Sequence, residues 1–184
     1  NLLDRQFAAA RPNQRWVGDT TEFVVGNGAK LYLAAILNLY SRFVVGWALS
    51  ETMEAEETTV AAFQMAVRNR PVTHDLLFHS DRGVPYACGA FREQLAGKPV
   101  LQSMSRKGNC WDNTVMERFF LNLKMERVWQ QDYANQGEAQ RDIADYIVRF
   151  YNGIRLHSKL GYLSPAAYER KMAAIPPIPV SEMI

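Results

Sequence analysis

Apolar positions along the chain fall into two rhythms, and the change between them marks out the elements. Residues 16–25 (WVGDTTEFVV) are rich in β-branched and aromatic side chains and end at Gly26-Asn27-Gly28, a strong turn signal, so the first strand of a hairpin is expected there. The almost continuous apolar run 31–40 (LYLAAILNLY) suits a central strand buried on both faces, and 42–49 (RFVVGWAL) a third strand after a short turn at Ser41-Arg42. The period then lengthens. Over 54–70, Val60, Phe63, Met65 and Val67 take helical spacing, with acids at the start, Arg68 and Arg70 at the end as the macrodipole prefers, and Pro71 as a stop. Leu76-Leu77-Phe78 is a short apolar strand of the parallel kind, because a helix separates it from the preceding strand, and it runs into His79-Ser80-Asp81-Arg82-Gly83. A second helix over 88–96 ends at Gly97, and Val100-Leu101 supplies a fifth, edge strand.

The stretch 103–127, SMSRKGNCWDNTVMERFFLNLKMER, passes from a Gly/Asn-rich loop straight into a helix. Asp112 and Asn113 precede its apolar series and offer capping side chains, so the helix is expected to start near Asp112. Val115, Met116, Phe119, Phe120 and Leu123 fall within an arc of about 140°, a core-facing stripe. Glu117 and Lys124, seven residues apart, project within about 20° of one another at its edge. From the helix alone they read as solvated charges on an exposed face. A long helix over 138–156 turns Ile143, Tyr146, Ile147 and Phe150 inward, and the stretch from Ile175 reads as a loosely ordered end. The organisation expected is an extended arm over 1–15, a core over 16–157 and a tail over 158–184. The order β-β-β-α-β-α-β-α-α implies one α/β domain: a five-stranded mixed sheet, three antiparallel strands followed by parallel ones, with helices on both faces. Ligands on such sheets collect at strand ends and switch points.

Composition narrows the setting more than the chemistry. No apolar run approaches the roughly 18 residues of a membrane span and no leader pattern is visible, so a soluble protein is expected. Cys88 and Cys110 have neither C-x-x-C spacing nor a histidine pair nearby, which argues against zinc and for a reducing, cytoplasmic compartment. The first residue is Asn1 rather than Met, so a piece of a longer protein is expected. The net charge of +2 is weak for a nucleic-acid binder, but two bound divalent cations would raise it to about +6.

Three carboxylates have a reason to meet. Asp19 lies in the middle of the first strand, where aspartate is disfavoured, and Asp81 immediately follows the fourth. If those strands are neighbours, the two charges repel unless a cation lies between them. Glu117 then offers a third oxygen ligand. Two aspartates and a glutamate without a His or Cys cluster suit hard cations, Mg²⁺ or Mn²⁺, and two ions about 3.5–4 Å apart are arranged for in-line phosphoryl transfer.

Segments quoted as PNQRWVGDTTEF, LYLAAILNLYSRFVVGW, HSDRGVPY, SRKGNCWDNTVMERFFLNLK and YNGIRLHSKLGYLSP resemble the catalytic core of bacterial insertion-sequence transposases of the retroviral-integrase type, the IS-three group. The resemblance runs from Asn13 to Tyr168, and the 35 residues between Asp81 and Glu117 match the interval typical of that family. It implies a ribonuclease-H-like fold, and Asp19, Asp81 and Glu117 as the catalytic metal-binding triad. Lys124 matches the family's basic residue that approaches DNA near the site. DNA is the implied partner, both element ends and target, with a homo-oligomer when active, a DNA-recognising segment upstream of this chain, and the bacterial cytoplasm as location. Asn38 and Pro85 depart from the aspartate and glutamine often found at those positions.

Further candidates surround the triad. His79, two residues before Asp81, shares its side of the strand, and reads as a hydrogen-bond partner of a ligating carboxylate, a strand-end cap or a direct ligand. Arg106 and Lys107 flank Gly108 at the mouth of the site and read as phosphate contacts or solvated loop charges. Trp111 either stacks on a base or packs on the first turn of its helix. Arg155, His157 and Lys159 form either a patch for the DNA backbone or a helix C-cap. The activity expected is metal-dependent DNA strand cleavage and strand transfer, against a ribonuclease-H-like nuclease or a non-catalytic DNA-binding or assembly module.

Overall fold

Alternation along the strands decides how the sheet is covered. Residues Leu31, Leu33, Ala35 and Leu37 of one strand point into one core, while Ala34 and Ile36 between them point into another on the opposite face. A strand apolar on both sides must lie inside the sheet. The computed structural model describes residues 1–26, 28–107 and 110–175, and shows one five-stranded sheet in the order β3-β2-β1-β4-β5. Here β1 is Arg15–Val24, β2 Lys30–Asn38, β3 Val44–Ser50, β4 Leu76–Ser80 and β5 Val100–Met104. The first three are antiparallel neighbours, and β4 and β5 add in parallel on the other side of β1, as expected.

Helices cover both faces. Helix α1 (Ala61–Asn69), entered through a π-helical turn Glu56–Val60, packs with α2 (Val84–Ala87) and α3 (Gly89–Leu95) over a core of Trp16, Phe63, Phe78, Tyr86 and Phe91. The rings of Phe63, Phe78 and Phe91 meet at centroid distances of 5.4–5.5 Å. On the other face α4 (Thr114–Glu126) and α5 (Gln136–Asp145) bury Met116, Phe119, Phe120, Leu123 and Ile143 against Val17, Leu33 and Leu37. Each fully buried side chain of this kind contributes about 1.5–3 kcal/mol.

The boundaries of α4 and α5 differ from expectation, each for a stated reason. A 3₁₀ turn, Cys110–Asn113, occupies the place where the helix was expected to begin, and α4 starts at Thr114. Neither expected capping side chain caps it, because Asn113 Nδ2 donates to Gly18 O (3.2 Å) and Asp112 is drawn away by two arginines. Helix α5 starts at Gln136 because Asn135 caps it, accepting from Glu138 N at 3.0 Å while Glu138 accepts from Ala134 N at 2.9 Å. It continues as a π-helical turn only to Tyr151, not to 156. Asn152, buried, stops it by pairing its side chain with Val44 N and O of β3 (2.9 and 3.1 Å).

Beyond it lies a helix that the proline-bearing sequence did not suggest, α6 (Pro165–Ala173). Ser164 caps it and Pro165 occupies its first turn, where a missing N–H costs nothing. It is held through Glu169, which accepts from Ser41 Oγ and from Arg70, each at 2.6 Å. The expected loose end from Ile175 lies, past that residue, outside the described residues. The arm before β1 also packs: Leu3 is 1% exposed, and Arg15 and Arg42 donate to backbone carbonyls of Gln6, Ala8 and Phe7.

Gly46 on β3 lets α1 approach the sheet. A methyl group there would collide with Ala62 O and lie 2.6 Å from Ala66 N. Gly46→Ala should therefore lower stability by about 1–3 kcal/mol or more, since backbone cannot swing aside, whereas Gly89→Ala, with open space around it, should be nearly neutral. Thermal melts of the two variants check this.

Candidate active site

The site forms where the strand order reverses. The chain builds outward from β1 through β2 and β3, then crosses to the opposite edge of β1 to add β4, which leaves a crevice at the switch point. In the β1–β4 register Val17 pairs with His79 and Gly18 with Ser80, so Asp19 and Asp81 occupy the next facing positions. By the pleat, both lie on the face covered by α4. They line one cleft of about 140 Å³ with Thr20, Met53, Pro85 and Tyr86.

Electrostatics show what this juxtaposition costs. Burial, then the charge of Asp81, push the Asp19 carboxyl up to about 7; the N–H of Thr20, 2.8 Å away, opposes this, and Glu117 adds to it. Asp81 is steadied by Gly83 N, which donates at 2.9 Å. Glu117, exposed on the first turn of α4, stands farther off, yet its charge is felt at Asp19. Among the described residues no three His, Cys, Asp or Glu side chains close into a single metal-ligand group. The walls nevertheless suit a hydrated hard cation: the donors are carboxylates, and Thr20 Oγ1 and Tyr86 Oη are buried without a hydrogen-bond partner among the described residues.

His79 is fully buried in a hydrogen-bonded network with Ser103 and Ser105. Ser103 Oγ already accepts from Leu2 N and Leu3 N, so its own proton points to His79 Nδ1 (2.8 Å), leaving Nε2–H for Ser105 Oγ (3.2 Å). Burial holds this imidazole down at about 4, against the pull of nearby Asp112, so it is neutral. Lys124 is half-buried on α4 and Lys107 exposed, neither with an ion-pair partner among the described residues. Trp111 is 66% exposed rather than packed on the first turn. Cys88 is half-buried and donates to Pro85 O; the Cys110 side chain lies outside the described residues, as do Gly108 and Asn109 of the loop. Of the two departures from the family pattern, Pro85 lines the cleft and Asn38 is buried at the end of β2, its Oδ1 accepting from Tyr40 N.

The role of Asp112 was not visible in the sequence. Arg106, half exposed, forks onto Asp112, with Nε to Oδ2 at 3.1 Å and Nη2 to Oδ1 at 2.9 Å, while its backbone N–H donates to Oδ2 at 3.0 Å. Arg5 Nε adds a fourth bond at 3.1 Å. The Asp112 side chain is wholly enclosed, and the hydrogen bonds from Arg106 hold its carboxyl well below the usual range. The arm, the loop and the start of α4 are thus tied at one carboxylate. An Arg six residues before an Asp across glycine is a signal too common to have singled it out.

A mixed sheet with paired carboxylates at its switch point and a third acid on the covering helix defines an α/β domain of the ribonuclease-H-like class. Comparison with solved structures agrees on the fold: the HTLV-2 integrase catalytic core domain in complex with magnesium superposes with a TM-score of 0.61 over 86% of this chain and 97% of that one, at 16% identity. A chain of the simian T-cell lymphotropic virus intasome, solved with PP2A regulatory subunit B56 gamma, gives 0.71 over 94% of this chain and 58% of that one, also at 16% identity. The chain belongs to the integrase core domain family, whose models match residues 9–110 and 98–165. Its relatives include a protein of insertion element IS600 from Shigella sonnei, 43% identical over 93% of this chain and 62% of that protein. Transposase InsF of insertion sequence IS3A from Escherichia coli (strain K12) is 38% identical over 95% of this chain and 60% of its own length. The chain therefore spans about 60% of the curated relatives it matches.

The two aspartates with displaced pKa values act on stability with opposite signs. Because Asp19 titrates above its ordinary 3.8, its burden is absent at low pH and grows as pH rises toward about 7. Asp19→Asn should then match the parent in metal-free melts near pH 4 and exceed it at pH 8, by roughly 2–4 °C for each kcal/mol relieved. Asp112 has the opposite sign: its stabilisation is complete above 3.8 and is lost only as pH falls below that value. Asp112→Asn should melt lower than the parent at pH 7, with the gap narrowing in acid.

Proposed function

We propose that this chain is the catalytic domain of a transposase that cleaves DNA and joins strands at the ends of a mobile element, acting as a polynucleotidyl transferase. The observation that carries the reading is the facing pair Asp19 and Asp81, brought side by side by the β1–β4 register in a cleft that leaves their charges uncompensated. Membership in the integrase core family and the insertion-sequence relatives support it.

Asp19, Asp81 and Glu117 would hold Mg²⁺ or Mn²⁺, two ions in the reading preferred here. When bound, such ions supply a lowered pKa for an attacking oxygen and charge stabilisation for the leaving one. The chain's own share is positioning. Asp19 and Asp81 are fixed by the sheet, and Glu117 is carried by a helix anchored to the sheet through Asn113 and Gly18. His79 is not available as a general base, because its imidazole is neutral, buried and engaged at both nitrogens. In this reading the proton of the nucleophile, water or a DNA 3′-hydroxyl, passes to solvent or to the phosphate itself. Lys124 and Lys107 would meet phosphate oxygens, and Arg106 would join them through the guanidinium N–H groups that it does not give to Asp112. A homo-oligomer on DNA, an upstream DNA-recognising segment and a cytoplasmic location in a bacterium complete the proposal. Among the described residues no helix is long and apolar enough to cross a membrane.

The test is a strand-cleavage and joining assay on end-labelled element DNA with Mg²⁺ or Mn²⁺, using the full-length protein. Asp19→Asn, Asp81→Asn and Glu117→Gln should each abolish both steps while leaving circular dichroism unchanged. Retained joining in any purified variant would overturn the triad, and cleavage of an RNA–DNA hybrid without any joining would move the domain to the ribonuclease H class of nucleases.

A further inference from the structure

A second cleft, larger than the acidic one, opens on the far side of α4. It measures about 670 Å³ and is walled by α4 and by residues 151–162. Arg42, Arg118, His157 and Lys159 line it, with Asn122 and Ser158 as neutral donors, and no carboxylate is among its lining residues. Arg155 also borders it, but its charge is spent on Glu126, which it grips at 2.6–3.0 Å.

Arg42, Arg118 and Lys159 form no ion pair among the described residues. Arg118 and Lys159 are exposed. Deeper in, Arg42 Nη1 and His157 Nε2 are buried with no hydrogen-bond partner among the described residues, a state that costs about 1–3 kcal/mol per group unless something fills it. Burial lowers both groups, and neighbouring Arg155 and Arg42 push His157 further down, to about 4, against the opposing pull of Glu126, so the imidazole is neutral and serves the cleft as a neutral donor beside Arg42. The lining is also strained. Arg42 and Tyr162 both hold left-handed backbone, at φ of 62° and 59°, and next to Gly161 (φ 64°) Tyr162 presents a ring that is 71% exposed. An exposed aromatic beside unpaired cations is the arrangement that receives a nucleotide, phosphate on the charges and sugar or base against the ring.

We propose that this cleft is a phosphate site for the backbone of a DNA strand, distinct from the acidic cleft and coupled to it by α4. The inference rests on the reading of the domain as a DNA-acting enzyme. Thr114, Arg118 and Asn122 recur every four residues on the helix and face the basic cleft, while Glu117, one position from Arg118, belongs to the catalytic edge. A strand seated on Arg118 and Lys159 is therefore held within one helix diameter, about 10–12 Å, of the catalytic side. The seat also supplies what the formal charge of +2 does not, a local field of one sign.

The test is fluorescence anisotropy of a labelled DNA duplex of arbitrary sequence, metal-free, over a range of salt concentrations. Arg118→Gln combined with Lys159→Gln, both surface changes, should weaken binding about tenfold or more at low salt and flatten the log–log salt dependence by nearly 2, about 0.9 for each phosphate no longer neutralised. Arg170→Gln with Lys171→Gln, on α6 away from the cleft, should leave that slope nearly unchanged. Equal losses in the two pairs would reduce the effect to net charge and overturn the site, as would parental affinity and slope in the first pair. Inorganic phosphate in a calorimetric titration should show no binding below about millimolar; tight phosphate binding that disappears in Arg118→Gln/Lys159→Gln, with DNA affinity unchanged, would replace the strand by a free anion and overturn the proposal. The two readings fail separately. A parent that binds through this cleft yet never cleaves DNA sinks the transposase assignment alone, and one that cleaves and joins DNA with binding indifferent to Arg118 and Lys159 sinks the cleft alone.

Discussion

The register between β1 and β4 is the constraint on which the rest depends. It places two carboxylates at facing positions of adjacent parallel strands, where strand spacing is under about 5 Å and where burial and mutual repulsion push one of them up to about 7. The domain tolerates this because the sheet is fixed by forces indifferent to the site, namely a dry core on each face and a ladder shared by five strands. Shifting β4 by one residue would carry Asp81 to the opposite face and also expel His79 from its serine network. Site and core thus share one register, which makes the strained pair inseparable from the fold.

Helix α4 divides the working surface into two clefts of opposite sign. One edge carries Glu117, whose charge reaches Asp19, the other carries Arg118 into the basic cleft, and the apolar stripe between them is what holds the helix down. Its entry is secured not by a conventional cap but by a buried carboxylate shared among Arg106, its backbone N–H and Arg5. That arrangement couples the arm at the start of the chain to the segment leading into α4, and it explains why Arg106 is engaged with protein.

Much of the architecture was legible because local pattern and final environment agree. The run LYLAAILNLY reads as a central strand and is one, since only a strand covered on both faces has use for apolar residues at every position. The facing of Asp19 and Asp81 was legible as a condition, if the strands are neighbours, and the sheet order meets that condition. Helix α6 was hidden by its prolines: Pro165 at a helix start is favourable, but without knowing that Glu169 meets Ser41 and Arg70 there was no reason to prefer helix to tail. Likewise Asn152 ends the long helix through Val44, a partner more than a hundred positions away.

What the sequence determined by itself was whatever depends on near neighbours: the period of each element, the stripe on α4, the rim shared by Glu117 and Lys124, and the motifs by which the chain resembles its family. Tertiary structure alone decided the assignments that hinge on long-range pairing. It took Asp112 from helix cap to buried clamp, and among the three readings left open for His79 it showed a neutral member of a serine network. It also gathered Arg42, Arg118, His157 and Lys159, drawn from three separate segments, into one cleft. The reason is physical: a charged or polar side chain is ruled by whichever opposite group lies within about 4 Å of it, and no spacing along the chain states which one that will be.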